Sequence, residues 1–522
     1  MGKAWGARLD ARLPRMAVVA GWALGAAMLA VFVRDHSFSL YDDAYIYLRY
    51  VRSLRAGCGL RFNCEDPPVE GFTSPLYLAL LVAGSLVTTR LVLLTQVICT
   101  LAVAGTIGLA VHAASSTAFD ERDGTATSAV DLRACVALVV AAVLGLDHYV
   151  MVNAVVGLEA PVAALVVAAT WVAVLHDRRR TAVALVVLAF LARPEGLLLV
   201  ALLPVMPWAR TWRVLATLAA SVAAITLARE LLFHDFVPNT YWAKAGGTQR
   251  HVELGLQYLE RLVLDQFPFV LFSPLALLVK KTRPAVAYLL AVSAAWLAFF
   301  LRSGGDVFPY GRLAFPIVPA LTILSACGLA EAGLRAASRV RALSAHAPLV
   351  GVLLPVLAGG GLAGRAVTQH GLGGRHSDPK VDRWHVLALH LAATYPHATL
   401  ATVPIGAIAY YSKLRVIDLL GLTTPAVAKA GRTIPPELLT ENWIGHERHN
   451  LEWVLAQKPD LVVTTQFRET PWDHLDETRA GFYAEWLFVR AVKEGRAPYH
   501  VVDAEIAPQV HFLLFERDAM SR

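Results

Sequence analysis

The chain has little charge. Only 17% of its 522 residues are Asp, Glu, Lys or Arg, against about 25% in soluble globular proteins. That deficit excludes an ordinary soluble protein, and it is uneven. Apolar blocks fill the stretch from about Met16 to Ala363, several of them near the ~20-residue length that crosses a bilayer. From about residue 367 the composition is that of a soluble protein. No Lys/Arg run interleaved with aromatics is present, so the net charge of +7 does not point to nucleic acid. The basic residues lie instead in short loops between apolar blocks, the positive-inside pattern. Cysteine is sparse, with five in all. Cys99, Cys135 and Cys327 fall in apolar blocks as packing residues. No CxxC or Cys/His spacing offers a zinc site. Cys58 and Cys64 share a polar loop, where they form a local disulfide in an oxidising compartment or remain two thiols in a reducing one. No small-x-small cleavage site follows Met16–Val33, so Lys3, Arg8, Arg12 and Arg15 precede an uncleaved first span that starts in the cytoplasm. No internal repeat is visible.

What is present is a polytopic α-helical membrane protein of about eleven spans with a C-terminal soluble α/β domain. The membrane domain covers 1–366 and the soluble domain 367–522. Spans are predicted at 16–33, 91–113, 134–149, 159–175, 181–192, 196–208, 214–232, 267–279, 285–301, 312–330 and 345–363. The basic segments at 178–180, 210–213, 280–283 and 335–341 then all face the cytoplasm, provided that Pro75–Thr89 is a re-entrant or interfacial helix. The first outside loop with that helix spans 35–90. The soluble domain then lies on the outside. Val252, Leu256, Leu259 and Val263 recur at helical spacing and predict an interfacial amphipathic helix over about 248–265. In the tail, strands are expected at 398–403, 414–419, 460–464, 500–504 and 511–515, with helices at 384–393, 451–457 and 481–493. Gly359–Gly361 and Gly371–Gly374 suit a hinge into the tail.

The outside loops carry the polar residues. Asp42 and Asp43 are adjacent, just after the first span, at the start of an expected helix. Three roles are open. The first is capping of that helix, since Asp suits a helix start. The second is a general base whose pKa the membrane edge raises. The third is a divalent metal held by the pair. Glu70 precedes a turn fixed by Gly71 and Pro75, which either serves only as that turn or places Glu70 and the Thr73 and Ser74 hydroxyls near the carboxylate pair. Glu159, Arg193, Glu195, Lys244, Asp306 and Arg312 stand at outside helix junctions, where ionisable groups are costly and therefore candidates for function. Taken singly, each suits snorkelling or an ion pair. Taken together, they put positive groups around an acidic site, as binding a polyprenyl-phosphate head group requires.

These residues form an ordered series. Asp42-Asp43-Ala44-Tyr45-Ile46 precedes Arg49-Tyr50, Gly57-x-Gly59, Phe62-Asn63 and Val69–Leu76. Then come Gly157-Leu158-Glu159, Arg193–Gly196, Pro238–Lys244, Gly304–Asp306, Arg312, Ile417–Leu422, Gly445–Glu447 and Lys458–Asp460. The series resembles GT-C glycosyltransferases, in particular the mycobacterial terminal arabinofuranosyltransferase group, over nearly the whole chain. The resemblance implies a GT-C core in a bacterial inner membrane, a periplasmic C-terminal domain and a polyprenyl-phosphate-linked sugar donor. It implies an envelope glycan or lipid acceptor and inverting transfer of a sugar such as arabinofuranose. A first-loop Asp, here Asp42 or Asp43, is then the base, and Arg49, Arg193, Lys244 and Arg312 meet the donor phosphate. His446 and Glu447 reach back from the tail to the acceptor or act structurally. Cys58, Cys64 and the short tail depart from the group's pattern. The rival class is a transporter or flippase of lipid-linked sugars, which predicts inverted repeats meeting at mid-membrane. The sequence shows neither repeats nor a mid-membrane polar cluster.

Overall fold

The structure, a computed structural model, describes residues 13–35, 40–117, 126–244, 247–308, 311–370, 379–470 and 481–518. A helix occupies each stretch predicted to cross the membrane. These are Leu13–Asp35, Leu91–Ser116, Ala126–Leu146, Ala160–Leu175, Arg179–Ala192, Pro194–Val205, Trp212–Phe233, Phe269–Leu278, Arg283–Ser303, Val318–Arg339 and Ala347–His370. In lipid, a single segment satisfies its own backbone hydrogen bonds only as a helix. Pro161, Pro284 and Pro319 stand in first turns, where a missing N–H costs nothing.

By length and hydropathy, four helices among the described residues are long and apolar enough to cross: Leu91–Ser116, Trp212–Phe233, Lys280–Ser303 and Val318–Arg339. Gln249–Asp265 with Phe269–Leu278 makes a fifth candidate, bent by 91°. The others are shorter apolar helices. Burial gives the helices different roles. Val318–Arg339 is 78% buried in its apolar window and central, whereas Trp212–Phe233 is 11% buried and left to lipid. Gly328 allows the central helix to approach the Ser273–Leu278 segment closely, because a Cβ there would lie 2.5 Å from the Ala276 nitrogen. Pro75–Ser85 has 11 residues, too few for a crossing. Gly359–Gly361 are not a hinge. The helix Ala347–His370 runs through them, since lipid offers the glycine backbone no competing partner. Gly371–Gly374 lie outside the described residues.

All five strands expected in the tail are formed. β1 is Thr399–Thr402 and β2 Arg415–Asp418, followed by the short pair β3 (Arg432–Thr433) and β4 (Arg448–His449). β5 is Leu461–Arg468, β6 Tyr499–Ala507 and β7 Val510–Arg517. The main sheet runs β2-β1-β5-β7-β6. β1 is parallel to β2 and β5, with Leu400 opposite both Val416 and Leu461, and β7 is antiparallel to β5 and β6. Alternation along β7 divides the sheet. Leu513 and Phe515 pack with Phe488 of the helix Tyr483–Lys493. Phe512 and Leu514 belong to a core that continues into the membrane domain.

The join between the two regions is made by the loop over 40–90 that follows the first helix. Its helix, Asp42–Arg55, packs against the tail helix Ile405–Ser412. The Asn63 side chain brackets Val416, donating to its carbonyl at 2.9 Å and accepting from its N–H at 3.1 Å. Arg415 pairs with Asp66 at 2.8 Å. Cys58 and Cys64 are joined by a disulfide that closes this loop.

Candidate active site

Asp42 and Asp43 both open the loop helix, but successive helical residues point about 100° apart, and they reach different partners. The Asp42 carboxylate accepts from the Gly406 N–H at 2.9 Å and the Ala407 N–H at 2.7 Å. These are first-turn amides of the tail helix, which lack partners within the helix. Asp42 therefore caps the tail. Asp43 turns the other way. Its Oδ2 accepts from Arg312 Nη1 at 2.8 Å, and its side chain stays 30% exposed.

Arg312 links Asp43 to Asp306, whose Oδ2 accepts from Arg312 Nε at 3.2 Å. The guanidinium lies 4.0 Å from the Phe308 ring centroid, and Phe308 stacks on Tyr41. These contacts fix the plane of the fork. Beside it stands a second network. Arg193 grips Glu195 through both Nε and Nη2, at 3.1 and 3.0 Å, and donates to Glu159 through Nη1. Glu159 also accepts from Thr73 Oγ1 at 3.2 Å, which ties the second network to the loop that carries Asp43. Gly157 has φ +81°, and its carbonyl accepts from the Tyr77 hydroxyl at 2.8 Å, which sets the turn that presents Glu159.

Lys244 and His446 complete the electrostatic setting. Burial would raise the Asp43 pKa. The adjacent Arg312, with Lys244 and His446 further off, instead holds its carboxyl below the ordinary aspartate value. Lys244 is solvent-accessible, yet protein crowding and the positive charges of Arg312 and Arg193 hold its ammonium below its usual value. Crowding, helped by Lys244 and Arg312 against the pull of Asp43 and Glu447, likewise lowers His446. The site thus presents an ionised carboxylate facing a set of cations, with an imidazole that is neutral at pH 7.

The other predicted residues are placed elsewhere. Arg49 spends its whole fork on backbone carbonyls: Phe62 at 3.0 Å, Ala409 at 2.8 Å and Leu414 at 3.0 Å. It joins the loop helix to the tail and does not reach the cationic cluster. Glu70 forms a buried pair with Arg229 at 3.0 Å, and burial pushes its carboxyl up to about 6 despite that partner. Its backbone carbonyl accepts from Asn239 N–H at 3.0 Å. Glu447 is buried, 3.2 Å from His251, and accepts from the Gly445 N–H at 2.9 Å. This fixes the turn that carries His446. Among the described residues, no group of three His, Cys, Asp or Glu is placed to hold a metal ion.

Sequence reasoning missed Arg229, His251 and Phe308. Arg229 had a signal, being an arginine inside an otherwise apolar span. His251 had none, because Glu447 is 196 residues away, and Phe308, four residues from Arg312, carries no ionisable group to mark it.

The comparisons bear on the fold. A family model described as a domain of unknown function (DUF8728) matches residues 374–507, within the tail. No curated protein matches the chain by sequence. By structure, the chain is similar to ArnT from Cupriavidus metallidurans in the apo state, with TM-score 0.53 and 14% identity over 96% of this chain and 99% of that one. It is similar to the same protein bound to undecaprenyl phosphate, with TM-score 0.51 and 14% identity over 96% and 97%. It is also similar to the arabinofuranosyltransferase AftD from Mycobacteria, with TM-score 0.51 and 14% identity over 96% of this chain but 40% of that one. The fold is therefore GT-C-like: a multi-pass helical membrane core carrying a C-terminal domain.

Proposed function

We propose that the chain is a membrane glycosyltransferase that moves a sugar from a polyprenyl-phosphate donor to an envelope glycan or lipid hydroxyl, with inversion. The observation that carries this reading is the Asp43–Arg312–Asp306 network beside Lys244 and Arg193 on a GT-C-like fold. Undecaprenyl phosphate bound to the structurally similar ArnT supports a polyprenyl phosphate as the leaving group. The series of motifs shared with the arabinofuranosyltransferase group makes arabinofuranose the first sugar to test. Eleven crossings, with the N-terminus in the cytoplasm and the tail in the periplasm of a bacterial inner membrane, accord with the basic loops.

In this mechanism Asp43 takes the proton of the acceptor hydroxyl. The hydroxyl oxygen attacks the anomeric carbon, and the bond from that carbon to the donor phosphate breaks. Polyprenyl phosphate leaves with the bonding pair. Phosphate is a good leaving group and needs no acid. Arg312, Lys244 and Arg193 offset the charge that develops on it. Asp43 suits the base role better than Asp42, whose two oxygens accept from the tail helix. Arg49 is left out of the phosphate set because it joins the loop helix to the tail through backbone carbonyls, away from the cationic cluster. Nothing in the fold or the comparisons supports the transporter reading. The test is transfer of labelled sugar from a panel of polyprenyl-phosphate donors in membranes containing the protein. Transfer from one donor class supports the reading, and none across the panel removes it.

A further inference from the structure

At the far end of the loop helix, about 13 Å along its axis from Asp43, lies a cavity of about 340 Å³. It is lined by Arg52, Arg90, Gln96, Tyr410 and Tyr411, above the apolar turn that holds Leu93. Its lining includes two guanidinium groups and no carboxylate. Arg52 lies 3.5 Å from the Tyr410 ring centroid and donates to the Tyr410 carbonyl, so its position is set in advance. Arg90 is exposed and makes no ion pair with any described residue. Its backbone N–H is held by Thr88 Oγ1 at 3.1 Å, and Arg55 ties down the preceding helix end through the Ser85 carbonyl at 2.9 Å. The chemistry of this lining selects an anion.

The surroundings select an amphiphile. Arg90 immediately precedes the 26-residue apolar helix Leu91–Ser116, so the cavity lies at a membrane boundary. Leu93, Val97 and Leu101 are exposed by 51%, 44% and 66%, and their spacing of four forms one stripe that runs down the helix from the cavity. A free phosphate would use the two arginines and leave the stripe idle. A lipid uses both. We propose that this cavity binds the phosphate head of an anionic membrane lipid between Arg52 and Arg90, with a hydrocarbon chain along Leu93–Val97–Leu101. The lipid then bridges the membrane domain at Arg90 and the tail at Tyr410 and Tyr411. The proposal is independent of the glycosyltransferase reading.

The experiment is native mass spectrometry and thermal melting of the purified full chain with phosphatidylglycerol, phosphatidylcholine or inorganic phosphate. Wild type is expected to retain phosphatidylglycerol through desolvation and to melt higher with it, with no such effect from phosphatidylcholine. Arg90→Gln, at an exposed position, is expected to melt normally without lipid and to bind phosphatidylglycerol about fivefold more weakly. Arg52→Gln should weaken binding in the same way. Equal affinity of wild type and Arg90→Gln overturns the proposal, as does equal binding of the zwitterionic lipid. Displacement of phosphatidylglycerol by inorganic phosphate at matched concentration would reassign the cavity to a soluble anion, and likewise overturns it.

Discussion

Two adjacent aspartates with different surroundings set the chemistry at the residue scale. Asp43 is held below the ordinary aspartate value of 3.8, so its carboxylate is charged across the physiological range. A group with a depressed folded pKa contributes above its unfolded value and is lost as pH falls through the lower folded value. Transfer should therefore stay flat between about pH 7 and about pH 5, as measured by kcat/KM in sealed membranes. An acid limb centred near 6 would instead implicate a buried carboxyl such as Glu70 or Asp418, both pushed up to about 6 by burial. Glu70 has a separate test. Glu70→Gln leaves the guanidinium of Arg229 buried and unpaired, and should lower stability by about 3–5 kcal/mol, read by melting in detergent. Adding Arg229→Met should recover most of that loss. The candidate acids and bases were legible in the sequence because ionisable groups at a membrane edge stand out. Their pairing was not, since Arg229 meets Glu70 across 159 positions and His251 meets Glu447 across 196. Nor did the sequence show which aspartate faces the cations, because the tail helix that takes Asp42 lies 364 residues away.

At the scale of elements, the contact between the loop helix and the tail helix governs the site. Gly406 stands where the two meet, and a Cβ there would come within 1.8 Å of the Asp42 carbonyl oxygen. Gly406→Ala should separate the two helices at a cost of about 1–3 kcal/mol and increase amide exchange over Ile405–Ser412. Unchanged exchange there would mean that the close contact is relieved elsewhere. The elements themselves were readable. The tail strands are short runs rich in β-branched and aromatic residues, and the spans are apolar blocks of helical length. The hinge at Gly359–Gly361 was misread because glycine breaks helices in water, while in lipid the helix continues through it. The helix Gln249–Asp265 appeared as expected. His251, Leu254 and Leu262 are buried, while Val252 and Leu256 of the predicted stripe are exposed by 40% and 54%.

For the whole molecule, the two regions share a core. Leu400, Val416 and Leu514 of the tail belong to the same buried cluster as Tyr50 and Val51 of the loop helix. The tail expressed alone, residues 379–518, should then expose that face and bind a hydrophobic dye. A monomeric, dye-silent tail would show a self-sufficient domain. The shared core also explains how the loop, four helix junctions and the tail converge on one cluster with Asp43 at its open side. The most direct test of the account is transfer of labelled sugar from a polyprenyl-phosphate donor in membranes, comparing wild type with Asp43→Asn and Asp42→Asn at equal insertion. The account predicts that Asp43→Asn loses at least about a hundredfold, while Asp42→Asn keeps most of its activity and loses about 1 kcal/mol of stability as a cap. An active Asp43→Asn enzyme, or an inactive Asp42→Asn that folds normally, would contradict it.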